Sequence, residues 1–180
     1  AEDMRAEFNK RIPPEFDKTS PKPNLSLHQA MTLASIVERE AVLPQEKPMI
    51  AAVYLNRMRI RMRLEADPPV QYALGVWKKG LTITALRHPS AYNTYVHYGL
   101  PPGPICSFGL DSLRAALRPA RTDAIFFVAD NTGGHVFSST LEDHLKAKKA
   151  FKRSLRALKA RLEQERQREP HVQADRDRNG

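Results

Sequence analysis

The chain has 180 residues, 41% hydrophobic and 27% charged, enough for one domain with a real core and too apolar to be disordered throughout. No apolar run approaches the ~18 residues that span a bilayer, and no basic-then-apolar segment opens the chain. The single cysteine, Cys106, excludes an internal disulfide and a cysteine-based zinc site. The first residue is Ala1 rather than Met, so the chain reads as a fragment or a mature form. Net charge is +9 and unevenly spread: residues 1–145 hold 17 Lys/Arg against 15 Asp/Glu, and residues 146–180 hold 12 against 5. A nucleic-acid role would therefore rest on the C-terminal tail alone.

Residues 1–24 are polar and broken by Pro13, Pro14, Pro21 and Pro23, and read as a linker with a short helix near Met4–Phe8. The core begins near Leu25. Ser26 followed by Gln29 fits a capping box for a helix running to about Val42. Pro44 ends it. A second helix is expected from about Gln45 to Arg59, with Pro48 in the tolerant first turn. From Arg57 to Leu64 basic and apolar residues alternate, which predicts that the helix passes into a short strand. Asp67-Pro68-Pro69 reads as a turn. Residues 81–105, rich in Pro, Gly, Asn and Tyr, read as ordered irregular structure, and Asp111–Leu117 as a short helix.

Ala124–Ala129 and His135–Ser138 read as two strands of a hairpin around the turn Asp130–Gly134. Thr140 is expected to cap a last helix from Leu141 to about Arg168, ended by Pro170. Its segment 146–168 carries 10 Lys/Arg against two Glu. We read this as the solvated face of a packing helix, with an anionic surface as the alternative. Residues 169–180 read as a disordered tail. The fold class is α+β, a helical core with a β-hairpin and a long C-terminal helix.

One carboxylate stands out. With about 100° per helical residue, Leu27, Ala30, Met31, Ala34 and Ala41 form one apolar stripe, and Glu38 falls in its middle. Glu40 falls on another side, next to Leu33. A lone buried carboxyl is costly when ionised, so burial would hold Glu38 protonated near neutrality, as a general acid requires. The alternative is a Glu paired with Arg or bonded to backbone amides. Asn56 repeats the pattern on the second helix, within a stripe of Met49, Ala52, Val53 and Ile60. A buried amide there could hold an N-acetyl group or cap a neighbouring loop. Tyr92, Asn93, Thr94 and Tyr95 offer ring faces and hydrogen-bonding groups of the kind that carbohydrate sites use. Gly99-Leu-Pro-Pro-Gly-Pro-Ile105 stiffens the loop behind them.

The six histidines show no metal-ligand spacing, and no metal or cofactor is expected. His135 and His144 are read as structural or hydrogen-bonding residues. There is no phosphate-binding loop, dinucleotide fingerprint or nucleophile elbow.

Several segments, taken together, resemble the endolytic murein transglycosylases of the YceG-like family. They are Leu33-Ala-Ser-Ile-Val-Glu38-Arg-Glu40-Ala41, Ala51-Ala-Val-Tyr-Leu-Asn56-Arg57, Ala66-Asp67-Pro68, Ala91-Tyr-Asn-Thr-Tyr95, Gly99–Ile105, and Phe127-Val-Ala-Asp130 with Gly134-His135-Val-Phe-Ser138. They occur in the family's order and cover about Leu25 to Leu145, so 25–145 is expected to be the catalytic domain, with a lysozyme-like helical core. The resemblance implies cleavage of the β-1,4 bond between N-acetylmuramic acid and N-acetylglucosamine within peptidoglycan strands. The product would carry a 1,6-anhydro-muramyl end, and a single carboxyl would serve.

By motif that carboxyl is Glu38, acid first and then base. Asn56, Tyr92, Asn93, Thr94 and Tyr95 would position sugars, and Asp67 and Glu40 are candidates for supporting it. Arg61 stands where the family often has Gly, Pro69 where Thr is usual, Ala73 where Gly is usual, and Ser107-Phe108-Gly109 where Asn-Pro-Gly is common. Family members carry an N-terminal membrane helix and a further small domain. The resemblance thus implies an excised catalytic domain on the extracytoplasmic side of a bacterial cytoplasmic membrane. Its partners would be peptidoglycan glycan strands and peptidoglycan synthases, with no nucleic acid. The competing readings are an inactive glycan-binding or scaffold module, a nucleic-acid-binding protein, and a hydrolytic muramidase using Asp67 to set a water.

Overall fold

The computed structural model describes residues 24–77 and 80–168. The expected helix near Met4–Phe8 and the tail from residue 169 lie outside the described residues. Helix α1 (Leu27–Glu40) starts on the expected capping box: Ser26 Oγ accepts from the Gln29 amide, and Gln29 Oε1 accepts from the Ser26 amide. A 3₁₀ turn (Pro44–Glu46) leads into α2 (Lys47–Arg59), with Pro48 in its first turn. Then come α3 (Asp67–Leu74), a single turn α4 (Ile83–Leu86) and α5 (Leu110–Leu117). Strands β1 (Phe126–Ala129) and β2 (His135–Ser138) pair antiparallel, with Phe127 opposite Phe137. Helix α6 (Leu141–Arg168) closes the described chain, with Thr140 Oγ1 accepting from the Asp143 amide as its cap. The fold is α+β, and α6 runs unbroken across residues 145 and 146.

α1 is the centre of the core. It packs on α5, α2 and α3, while α6 packs on the hairpin. Leu33, Ile36, Val37, Ile50, Val53 and Leu64 are fully buried, each worth about 1.5–3 kcal/mol of apolar transfer. α1 is enclosed on all sides from Thr32 to Val37, and α2 from Ile50 to Tyr54. Leu33 and Ile36, apolar off the stripe of α1, are buried with it, while Ile60, assigned to the α2 stripe, is exposed.

Two expectations are corrected here. The alternating run after Arg57 forms no strand. Arg61 takes a left-handed φ of 54° and the Met62 amide donates to the Arg57 carbonyl, so the chain turns. The nearly buried Arg57 guanidinium fixes that turn, donating to the Leu64 carbonyl at 2.7 Å and the Ile125 carbonyl at 2.6 Å. Alternation here reflects one basic residue drawn inward, not a pleat. Asp67-Pro68-Pro69 is the opening of α3 rather than a turn, since first-turn positions need no amide hydrogen.

The hairpin turn is closed by Asp130, whose Oδ1 accepts from the Thr132 amide and hydroxyl and from the Gly134 amide. A β-carbon on Gly134 would lie 3.0 Å from Glu46 Oε1 and 3.1 Å from Asp130 Oδ2. A side chain here would press on Glu46, Asp130 and Leu43, so glycine suits the close approach of the hairpin to the start of α2.

Arg61 is exposed and left-handed, a conformation costly to residues with a β-carbon. Arg61→Gly should therefore raise the unfolding free energy by about 0.5–1 kcal/mol in urea denaturation. A loss of stability would mean that the Arg61 side chain outweighs the backbone strain.

Candidate active site

Glu38 and Glu40 lie in the last turn of α1, where the helix dipole disfavours negative charge. Two residues apart on a helix, they face different surroundings. Glu38 is not the buried acid of the helix-wheel reading: its side chain keeps 31% exposure. Its Oε2 accepts from Lys47 Nζ at 3.1 Å, from the Gly109 amide at 3.2 Å and from the Ser112 hydroxyl. Burial pushes its pKa upward, but these three donors outweigh it and hold the carboxyl below its ordinary value. Glu38 is thus an ionised clasp joining the end of α1 to the starts of α2 and α5. The alternative of a Glu bonded to backbone amides and a cation describes it.

The perturbed carboxyl is Glu40, which the wheel turned away from the apolar stripe. Part of the residue meets solvent, yet its carboxyl is enclosed by protein. Tyr54, 1% exposed on α2, donates its hydroxyl to Glu40 Oε1 at 2.9 Å. Burial raises the Glu40 pKa, the Tyr54 hydrogen bond opposes it, the Asp67 charge adds to it, and His135 and Arg57 oppose it. The balance stands at about 7. The Tyr54 hydroxyl is in turn pushed well above its ordinary value by burial and by Glu40.

Around this pair the chain gathers groups from four further places. Asp67, opening α3, accepts from the Tyr95 hydroxyl at 2.6 Å. Burial and that bond to Asp67 raise the Tyr95 pKa. His135 of β2 meets Glu46 twice: Nδ1 lies 2.7 Å from Oε2, and its amide donates to Oε1 at 2.8 Å. Phe127 of β1 sets its ring edge-on to both Tyr54 and His135, at 5.8 and 5.3 Å between centroids.

Most of the expected sugar-binding residues have other work. Asn56 donates both amide hydrogens to the Thr122 and Ala124 carbonyls, tying down the segment before β1. Asn93, fully buried, donates to the Leu86 and His88 carbonyls and accepts from the Tyr95 amide. Thr94, also buried, exchanges hydrogen bonds with both backbone groups of Ala66. All three fasten loops in this structure, and Thr94 in particular sets the register of Asp67. Tyr95 joins the Glu40 group through Asp67. Tyr92 is half-buried, its ring tilted on Tyr72 at 4.9 Å, and Tyr72 is exposed. His135 hydrogen-bonds as expected, and His144 stacks on Phe126. Among the described residues no group of three or more His, Cys, Asp or Glu is arranged to hold a metal ion.

The profile of the YceG-like family matches residues 1–150. The chain belongs to the YceG-like family. It is 42% identical over 130 residues to the endolytic murein transglycosylase of Bacillus subtilis (strain 168), covering 72% of this chain and 36% of that protein. It is 31% identical over 149 residues to the endolytic murein transglycosylase of Streptococcus pneumoniae serotype 2 (strain D39 / NCTC 7466), covering 79% of this chain and 27% of that one. The YceG-like chain thus spans about a third of the length of these relatives. The crystal structure of a YceG-like protein from Listeria monocytogenes superposes with a TM-score of 0.65 at 40% identity, over 78% of this chain and 43% of that one.

Tyr54 and Glu46 were missed as site residues in this YceG-like sequence. A signal for the first existed: Tyr54 is the lone hydroxyl in the buried run Ile50–Tyr54, and a buried phenol needs a partner. Glu46 carries no comparable signal, because its partner stands 89 residues away.

A raised Glu40 pKa has a consequence for stability. The group is neutral in folded and unfolded chains below about pH 4.5 and charged in both above about pH 7. Between these limits the folded state holds the extra proton, so stability falls as pH rises, by about 3 kcal/mol in all. Glu40→Gln, which mimics the neutral carboxyl, should gain stability over the parent progressively through this window. Thermal melts at stepped pH would show it, and a constant difference would refute the raised pKa.

Proposed function

We propose that this chain is the catalytic part of a lytic transglycosylase that cleaves peptidoglycan glycan strands internally, with Glu40 as the proton-transferring carboxyl. The observation that carries the reading is the enclosed Glu40 carboxyl, bonded to Tyr54 and neutral up to about pH 7. It is supported by the chain's identity to relatives named endolytic murein transglycosylases. Glu38, the carboxyl that the motif resemblance singled out, is already committed to Lys47, Gly109 and Ser112 in its ionised form. A general acid must enter the reaction protonated, and that favours Glu40.

In this reading Glu40 protonates the oxygen between N-acetylmuramic acid and N-acetylglucosamine as the muramyl C1–O bond breaks. The resulting carboxylate then takes the proton of the muramyl 6-hydroxyl while that oxygen bonds to C1. A 1,6-anhydro ring closes, the proton count balances and no water is consumed. Asp67, fixed by Tyr95, helps to keep Glu40 protonated. Tyr72 and Tyr92 offer ring surface for a sugar. The helical core is lysozyme-like in this sense: a central helix ends on the working acid. Residues 25–145 would supply the catalytic domain, at the extracytoplasmic face of the bacterial cytoplasmic membrane and close to peptidoglycan synthases.

Mass spectrometry of products from purified glycan strands tests the proposal. The parent should give anhydro-muramyl ends, and Glu40→Gln should lower their rate by at least about a hundredfold. Glu38→Gln should keep turnover in its folded fraction while lowering the melting temperature. Loss of turnover in a well-folded Glu38→Gln with an active Glu40→Gln would return the role to Glu38. Reducing ends would mean hydrolysis, and no cleavage would leave a glycan-binding module.

The pH profile supplies a second check, since activity needs Glu40 protonated and should fall as pH rises through about 7. Tyr54→Phe removes a bond that favours the charged form, so the alkaline limb should move to higher pH. Asp67→Asn removes a repelling charge, so the limb should move to lower pH. Shifts in the same direction, or none, would contradict the assigned electrostatics.

A further inference from the structure

The second half of α6 stands apart from the domain. At 28 residues the helix is about 42 Å long. The hairpin holds its first half: Phe126 stacks on His144, and Asn131 donates to the Phe151 carbonyl and to the Ser154 hydroxyl. From residue 156 to residue 167 every residue is exposed. Exposed helices of this length are marginal in water without a packed face, yet this one keeps an apolar stripe. At roughly 100° per residue, Phe151, Leu155, Leu158 and Leu162 fall within about 60° of each other. Leu158 and Leu162 are 45% and 50% exposed. Lys148, Lys152, Lys159 and Arg166 line one flank of this stripe, and Arg161 the other.

We infer that this half of α6 lies along an anionic lipid surface, leucines inward and basic side chains at headgroup level. Charge complementarity selects the occupant. With 10 Lys/Arg against two Glu over 146–168, the helix opposes a second copy of itself. The stripe also covers only two heptads before Lys148 and Glu165 interrupt its spacing, too short for a coiled coil. A soluble polyanion would satisfy the charges and leave the leucines in water. A bilayer of anionic lipid satisfies both, because long basic side chains reach headgroups while their stems and the leucines enter the acyl boundary.

The test is flotation of the 180-residue protein with vesicles of phosphatidylglycerol in phosphatidylcholine, against vesicles of phosphatidylcholine alone. Binding is expected with the first and not the second. Leu158→Ala/Leu162→Ala, which preserves helix propensity, should weaken binding at least about tenfold. Lys159→Glu/Arg166→Glu should weaken it about as much or more. Far-UV circular dichroism of each variant shows that the helix is kept. Three results would overturn the inference. One is no association with phosphatidylglycerol vesicles. The second is association indifferent to the leucines and matched by duplex DNA, which marks simple polyanion attraction. The third is a leucine-dependent dimer in sedimentation with no lipid binding, which would assign the stripe to a second copy.

Discussion

The structure depends on the enclosure of the middle of α1. Six consecutive residues, Thr32 to Val37, are shut away from solvent, so every polar group they carry must be met by protein. Thr32 turns its hydroxyl to the His28 carbonyl. Ser35 donates to the Thr32 carbonyl and accepts from the Ile105 amide, which anchors the proline-rich loop to the helix. The same enclosure reaches the helix end. There, two carboxyls emerge against the dipole and into crowded surroundings, and each finds its partners from distant parts of the chain. α2 meets this helix end through Lys47 and Tyr54, and α5 through Ser112 and the Gly109 amide at its cap, while the charges of Asp67 and His135 act on Glu40.

Elements whose cause is local were legible in the sequence. The capping box at Ser26 and Gln29, the proline in the first turn of α2, the hairpin around Asp130–Gly134 and the Thr140 cap each depend on residues within a few positions of one another. The same reasoning failed where a long-range contact decides the backbone. After α2 the alternation of basic and apolar residues is real, but Arg57 reaches the carbonyls of Leu64 and Ile125 and bends the chain before a strand can form. The family's frequent Gly where Arg61 stands here fits the left-handed turn at that residue.

The site was legible in kind but not in detail. Periodicity drew attention to the last turn of α1 and expected Glu38 to be the buried carboxyl, whereas the carboxyl whose pKa burial raises is Glu40. A helix wheel finds the buried side only when one side is buried. Around a helix enclosed on every side, angle carries no information about burial, and the partners decide instead. Those of Glu38 lie 9, 71 and 74 residues away. Asn93 and Thr94 could not be resolved from the sequence for a related reason. Polar groups in a rigid loop are as useful for holding the loop as for holding a ligand, and only their hydrogen bonds tell the two apart. Here both side chains satisfy their own backbone, and through Thr94 the loop fixes Ala66 and hence Asp67.

On the proposed reading, the two carboxyls at the end of α1 let one helical turn serve stability and chemistry at once. Glu38 is ionised and bonded at three points, so it strengthens the junction of three helices. Glu40 accepts from Tyr54, and its burial costs stability progressively as pH rises toward about 7. A junction built on Glu38 can bear that cost. Because Lys47, Gly109 and Ser112 are held by an ionised carboxylate, the end of α1 keeps its direction whether Glu40 is neutral or charged. A carboxyl that must release and regain a proton gains from such an arrangement. Its aim is set by a neighbour whose pKa is shifted the other way, so that it stays ionised at the pH where the acid itself changes state.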